Sequence, residues 1–104
     1  MKLILPQFHI LYDICRGHKP DIIFHLASKA TVKESRNPYK IVQDNIISTQ
    51  KVIHAAPPGC RVVLASTVIV YGDWWVGRHQ QCRENLATIP TSSYGITKRA
   101  SESL

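Results

Sequence analysis

The stretch Pro20-Asp21-Ile22-Ile23-Phe24-His25-Leu26-Ala27 decides the fold of this chain. After a turn signal, residues 22–27 form a short, almost continuously apolar run. Such a run is typical of a strand that is buried on both faces of a parallel sheet. Residues 61–67 have the same character and follow the turn Pro57-Pro58-Gly59, so they predict a second buried strand.

Helical patterns alternate with these two strands. Residues 7–17 have apolar side chains at helical spacing and end at Gly17, a plausible C-cap. A long helix should begin at Asn37-Pro38, and its apolar stripe comprises Tyr39, Val42, Ile46, Thr49, Val52, Ile53 and Ala56. A last helix should begin near Ser92. This order predicts one α/β domain over residues 1–104, with a parallel sheet and right-handed crossovers.

Composition excludes several classes of protein. The 104 residues are 44% hydrophobic and 19% charged, which is an ordinary globular balance. There is no apolar run long enough to span a membrane, and the N-terminal apolar patch is too short for a signal peptide, so we expect a cytoplasmic protein without a membrane partner. The net charge is +6, but the basic residues are scattered, and we expect no nucleic-acid partner.

Cysteine and histidine spacing indicates no metal site. Cys15, Cys60 and Cys82 are far apart and odd in number, and no pair has the C-x-x-C spacing, so we expect free thiols. The five histidines show no ligand spacing on a shared face.

The strongest chemical signal is a tyrosine and a lysine four residues apart, Tyr94 and Lys98. Residues at this spacing lie on one face of a helix. A phenol is a poor base at neutral pH, but a nearby cation favours the phenolate form. The pair is thus a sensible acid/base unit for a substrate hydroxyl. Taken alone, the same spacing also suits a half-buried tyrosine beside a solvated lysine.

Several polar or small residues should meet this pair at one edge of the sheet. In open parallel sheets, ligands bind beyond the carboxyl ends of the strands. Those ends are residues 26–28 for the first strand, and Ser66 and Thr67 for the second.

Five motifs in order resemble the extended short-chain dehydrogenase/reductase family, and within it the NAD(P)-dependent epimerase/dehydratase branch that acts on nucleotide sugars. The motifs are residues 20–28, Glu34-Ser35 with Asn37-Pro38, residues 45–49, residues 65–73, and Ser93-Tyr94-Gly95-Ile96-Thr97-Lys98. The resemblance covers nearly the whole chain from Lys19 onward. It implies that the chain is the central portion of an NAD(P)-binding domain, a partial Rossmann-like parallel sheet with flanking helices.

The resemblance implies a role for each catalytic position. Tyr94 matches the tyrosine that exchanges a proton with a sugar hydroxyl, and Lys98 matches the lysine that tunes it and holds the nicotinamide ribose. Thr67 matches the residue that hydrogen-bonds the reacting oxygen, with Ser66 as the alternative. Both hydroxyls also suit a simple strand-end role, bonded to backbone.

The resemblance also implies a cofactor, NAD or NADP, and its contacts. Leu26, Ala27 and Ser28 match the segment that lies along the cofactor, although Ala or Gly is usual at Ser28. Asn45 matches a helix asparagine that positions the active-site strand or the cofactor, and it could equally be structural. Ser48 stands where Gly is usual.

The sequence departs from the family pattern in two ways. No two of the five glycines form the Gly-rich turn that holds the pyrophosphate, so we expect poor cofactor affinity and marginal stability. The chain could therefore be a truncated, non-catalytic fragment or binding module. Such a chain could pair with a full-length relative or form a homodimer. Residues 67–69 carry no acidic side chain, which favours epimerase or dehydrogenase over dehydratase chemistry on the expected nucleotide-sugar substrate.

Overall fold

A computed structural model of the chain describes residues 8–28, 38–73 and 83–104. The regular elements, in chain order, are α1 (Phe8–His18), β1 (Ile22–His25), α2 (Pro38–Ile41), a π-helical segment (Val42–Ile47), α3 (Ser48–Ala55), β2 (Arg61–Leu64), a 3₁₀ helix (Val68–Tyr71) and α4 (Ser93–Glu102). This alternation confirms the predicted α/β order. Cys82 and the motif residues Glu34, Ser35 and Asn37 lie outside the described residues.

The two strands form a parallel pair. Their register runs from Ile22 opposite Arg61 to His25 opposite Leu64. The Ala65 amide donates to the His25 carbonyl at 3.1 Å just beyond the paired residues. Both strands therefore end earlier than predicted, and residues 26–27 and 65–67 lie beyond them.

One face of the described sheet carries the core. Ile23 and Val62 pack against a buried cluster from α1 and α3 that comprises Leu11, Cys15, Val52 and Ala55. The prediction of burial on both faces is wrong for this part of the chain, because Phe24 is 66% exposed and Ile22 is also exposed. Side chains alternate across a strand, so the helices cover only the face that carries Ile23 and His25.

The long helix buries a more polar face than the predicted stripe. Residues 38–55 form one helical run, but Tyr39 and Val42 of that stripe are exposed. The buried side chains are instead those of Ile41, Asn45, Ser48, Thr49, Val52 and Ala55. Hydropathy favoured the wrong face in the first half of the helix, since Asn45 and the two hydroxyl residues are buried through hydrogen bonds rather than through apolar character.

The end of α1 also differs from the prediction. The helix continues past Gly17 to His18, and Lys19 adopts the left-handed conformation with φ 47°. The Lys19 amide still donates to the Cys15 carbonyl at 2.9 Å, so the turn is closed by lysine rather than by glycine.

Membrane spans and metal clusters are both absent from the described ranges. No helix there has the length and apolar character to cross a bilayer. No group of three or more His, Cys, Asp or Glu side chains comes together there in a way that could hold a metal ion. Cys15 and Cys60 are free thiols, as predicted.

Candidate active site

The start of α4 fixes where Tyr94 and Lys98 lie. Ser92 is extended, with φ −122° and ψ 155°, and its Oγ accepts a hydrogen bond from the Gly95 amide at 3.1 Å. The predicted cap is therefore present, and it satisfies one of the free N–H groups of the first turn. Since the helix register is set from Ser92, Tyr94 lies in the first turn and Lys98 one turn later, on the same face.

Both members of the pair are buried. Tyr94 is 6% exposed and Lys98 is 3% exposed. Between them, Gly95 lets the helix approach the 3₁₀ helix closely, because a Cβ at this position would lie 3.0 Å from the Ile69 carbonyl oxygen and 3.1 Å from Pro90 Cβ. The half-buried tyrosine beside a solvated lysine, which the spacing alone left open, is therefore not what the structure contains.

Lys98 is a charged residue at a buried position, which is uncommon for lysine. Burial lowers the pKa of Lys98, and the carboxylate of Glu102, one turn further along α4, partly offsets this by favouring the charged form. Among the described residues, no protein group forms a hydrogen bond or ion pair with this ammonium by the usual distance criteria. A buried lysine of this kind is uncommon unless it is paired, and it is a marker of functional sites.

A layer of buried polar residues lies between α4 and the long helical run. Asn45, which is 1% exposed, donates from Nδ2 to Thr97 Oγ1 at 3.0 Å. Thr97 in turn donates to the Tyr94 carbonyl at 2.8 Å. The predicted site residue Asn45 is thus joined through one hydroxyl to the backbone of the predicted site residue Tyr94.

The π-helical segment contributes backbone carbonyls to this layer. Ser48 Oγ donates to the Asp44 carbonyl, and Thr49 Oγ1 donates to the Asn45 carbonyl at 2.7 Å. Ser101 of α4 donates to the Asn45 carbonyl as well, at 3.0 Å. Single π turns inside α-helices are frequent at functional sites.

The strand-end hydroxyls have distinct partners. Thr67 caps the 3₁₀ helix, since its Oγ1 accepts from the Ile69 amide at 3.3 Å. That bond does not use the hydroxyl hydrogen of Thr67, and no other described residue accepts it. Ser66 is exposed, and its Oγ donates to a carboxylate oxygen of Glu102 at the end of α4.

The segment after β1 is open. Leu26 is 70% exposed and Ala27 is exposed, whereas Ser28 is half-buried. The structure therefore links Asn45 to the Tyr94 backbone through Thr97, and links Ser66 to Glu102 at the end of α4. Residues 26–27 remain exposed at the carboxyl end of the sheet.

Three buried polar residues, His25, Thr97 and Ser101, are absent from the predicted site, and Thr49 was predicted only as part of the apolar stripe of the long helix. One signal was available. A single imidazole stands in the otherwise apolar run of residues 22–27, and an inward-facing polar side chain in such a strand requires a buried partner.

Known proteins match most of the length of this chain. The family model described as GDP-mannose 4,6 dehydratase matches residues 5–104. A UDP-glucose 4-epimerase from Mycoplasma genitalium is 32% identical, with 86% of this chain and 28% of that protein covered. The chain thus spans little more than a quarter of the length of this curated relative.

Solved structures share the fold. A UDP-Glc/GlcNAc 4-epimerase from Campylobacter jejuni superposes with a TM-score of 0.84 at 26% identity, over 99% of this chain and 31% of that one. The structure of RMD from Pseudomonas aeruginosa complexed with NADPH gives a TM-score of 0.82 at 26% identity, over 99% of this chain and 36% of the other.

Proposed function

This chain belongs to the GDP-mannose 4,6 dehydratase family, and on that premise we propose that it carries the proton-transfer centre of a nicotinamide-dependent enzyme acting on nucleotide sugars. The family match agrees with the resemblance that the five sequence motifs indicate. The absence of an acidic side chain in residues 67–69 favours epimerisation or simple oxidation over dehydration.

The observation that carries the proposal is the burial of a charged lysine one helical turn after a buried tyrosine. Taking an ammonium out of water opposes folding. The carboxylate of Glu102 offsets only part of this penalty, and an apolar side chain such as methionine would avoid it. The placement is explained if Lys98 must act on Tyr94 and on a bound ligand.

The described residues fit the nicotinamide end of NAD or NADP. The Lys98 ammonium offers donors with no protein acceptor in the described ranges, which suits ribose hydroxyls. Residues 26–27 are exposed at the strand end, and Ser28 and Asn45 flank the same edge in the family pattern, so Leu26, Ala27 and Ser28 are the proposed contacts to the cofactor. When bound, the nicotinamide would accept a hydride from the sugar carbon and return it.

The protein's part in the reaction is to move and hold a proton. Tyr94 would take the proton of the sugar hydroxyl as the carbon is oxidised and return it on reduction. The positive charge of Lys98 would favour the phenolate form that this step needs. Thr67 would donate its free hydroxyl hydrogen to the reacting oxygen, and Ser66 is the neighbouring alternative.

A single-turnover experiment tests this assignment. The purified chain is mixed with NAD and UDP-glucose, and formation of reduced nicotinamide is followed by its near-ultraviolet absorbance. We expect Tyr94→Phe to abolish the signal, because the phenol oxygen is the only group it removes. Tyr39→Phe is the matched control, since Tyr39 is 86% exposed and lies outside the site. Reduction that proceeds equally in Tyr94→Phe would contradict the proposal.

A second candidate function is association with another copy of the chain or with a full-length relative. It is favoured by exposed apolar side chains on the two helical segments that flank the site, among them Tyr39, Val42 and Ile96. Sedimentation velocity of the wild type and of Ile96→Ser distinguishes the cases. A dimer that dissociates in the variant supports association, and a monomeric wild type contradicts self-association.

A further inference from the structure

His25 is a buried imidazole whose tautomer can be assigned from its neighbours. The side chain is 4% exposed, and its Nε2 lies 3.0 Å from Thr49 Oγ1. The single hydroxyl hydrogen of Thr49 is already given to the Asn45 carbonyl at 2.7 Å. Thr49 must therefore accept from His25, and Nε2 must carry the proton.

This bond is the first link of a chain that crosses from the sheet to α4. His25 donates to Thr49, and Thr49 donates to the Asn45 carbonyl. Ser101 of α4 shares its one hydroxyl hydrogen between the same carbonyl, at 3.0 Å, and the Thr97 carbonyl of its own helix, at 2.9 Å. The Asn45 side chain makes the parallel link, through Thr97, to the backbone of Tyr94.

Every link in this chain is sheltered from water. His25, Thr49, Asn45, Thr97 and Ser101 are each less than a tenth exposed. A buried network of this kind is rigid when all its members are satisfied, and losing one partner leaves another polar group unpaired. The position of α4 is therefore tied to the state of one imidazole on β1.

The charges around His25 favour its neutral form. From α4, Lys98 faces it as a positive charge, and Glu102 acts in turn on Lys98. From α3 the facing group is the uncharged hydroxyl of Thr49, and on β2 the residue paired with His25 is the apolar Leu64. Burial and the charge of Lys98 both lower the pKa of His25.

We propose that His25 is a positioning residue: as its neutral Nε2–H tautomer it holds the Thr49–Asn45–Ser101 hydrogen-bond chain, and thereby fixes α4, with Tyr94 and Lys98, against the end of β1. The relevance of this role to catalysis rests on the proposed function. The structural link itself does not, and it can be measured without cofactor or substrate.

The test is an acid titration followed by NMR on the full chain, with nitrogen-15 in the histidine rings and carbon-13 in the tyrosine rings. In the wild type we expect Nε2 of His25 to be protonated and Nδ1 bare near neutral pH. On acidification, the Tyr94 ring signal should shift with the same midpoint as the His25 nitrogens. That midpoint should lie below the ordinary histidine value of about 6.5.

Variants separate positioning from general acid unfolding. His25→Gln retains an N–H donor that can reach Thr49 but cannot be protonated, so the Tyr94 shift should disappear while the chain stays folded. His54→Gln is the matched control, because His54 is exposed on α3, and here the shared midpoint should remain. Lys98→Met should raise the pKa of His25 towards its ordinary value.

Three results would overturn the proposal. The first is a His25 ring that carries its proton on Nδ1 at neutral pH. The second is a Tyr94 signal that does not shift with the His25 titration in the wild type, and the third is a Tyr94 shift that is unchanged in His25→Gln. Failure of the proposed function would appear elsewhere, as absent nicotinamide reduction by a chain in which the linked titration is intact.

Discussion

Among the described glycines, Gly72 is the one where an added methyl group should be most damaging. It follows the 3₁₀ helix with φ 78° and ψ −169°, a region that is essentially restricted to glycine. A Cβ there would lie 1.9 Å from the carbonyl oxygen of Ile89, a backbone atom in the segment that leads into α4. The substitution Gly72→Ala therefore combines backbone strain with a collision.

The two contributions can be estimated separately. The strained backbone costs about 1–3 kcal/mol. To reach a separation of 3.0 Å, the Ile89 carbonyl would have to move by about 1 Å (3.0 − 1.9 = 1.1 Å), and a backbone shift of this kind costs about 1–3 kcal/mol more. We therefore expect Gly72→Ala to lose about 2–6 kcal/mol of unfolding free energy, enough to unfold a marginal chain.

Two other glycines in the same chain provide matched controls. Gly59 also has a positive φ, 81°, but nothing lies within 4 Å of the added carbon, so Gly59→Ala measures strain alone, at about 1–2 kcal/mol. Gly17 lies within α1 with open space around it, so Gly17→Ala should be neutral or stabilising by about 0.5 kcal/mol.

Equilibrium unfolding in urea, followed by far-ultraviolet circular dichroism, compares the four proteins. The expected order of midpoints is Gly17→Ala at or above wild type, then Gly59→Ala, then Gly72→Ala, with the last unfolded outright if the wild type is marginal. Equal urea midpoints for Gly72→Ala and Gly59→Ala would contradict this prediction, because the collision with the Ile89 carbonyl would then cost no stability.

Three further substitutions or conditions test individual interactions. Ser92→Ala removes the oxygen that accepts from the Gly95 amide, and urea unfolding should show a loss of about 1 kcal/mol, whereas an unchanged midpoint would mean that the cap is not formed. Lys98→Met should raise the melting temperature near neutral pH, because burial lowers the pKa of Lys98 and its charge opposes folding. That gain should shrink as the pH rises towards the ordinary lysine value of about 10.4, and a variant that melts below wild type at neutral pH would contradict it. Because the pKa of His25 is lowered in the folded chain, its neutral form contributes stability above about pH 6.5. This stability is lost as the pH falls through the pKa of His25 in the folded state. In thermal melts, His25→Gln should lack this part of the acid sensitivity.

The order of elements could be predicted from the sequence because it depends on local signals. The apolar runs at residues 22–27 and 61–67, the proline at the start of α2 and the hydroxyl at Ser92 each act within a few residues. The Tyr94–Lys98 spacing likewise follows from helix geometry alone.

The buried polar layer could not be predicted in this way because it depends on tertiary contacts. Asn45 and Thr97 are 52 residues apart in the chain, and nothing local to Asn45 indicates that an amide there will be buried. The hydropathy pattern does not indicate the π-helical segment either. Ser48 and Thr49, whose hydroxyls bond to carbonyls of this segment, follow it directly in the sequence. The burial of Lys98 was also beyond local signals, since lysine is among the residues most often exposed.

In the proposed function, Lys98 lies buried beside Tyr94 in order to bind a nicotinamide dinucleotide. The most direct test is a titration of NAD into the purified chain, with tryptophan fluorescence and melting temperature recorded together, for the wild type, Tyr94→Phe and Lys98→Met. We predict weak but saturable binding that stabilises the wild type and Tyr94→Phe, and that is lost in Lys98→Met because the variant lacks the proposed donor to the ribose. A cooperatively folded wild type that does not bind NAD, or equal binding by Lys98→Met, would contradict the claim.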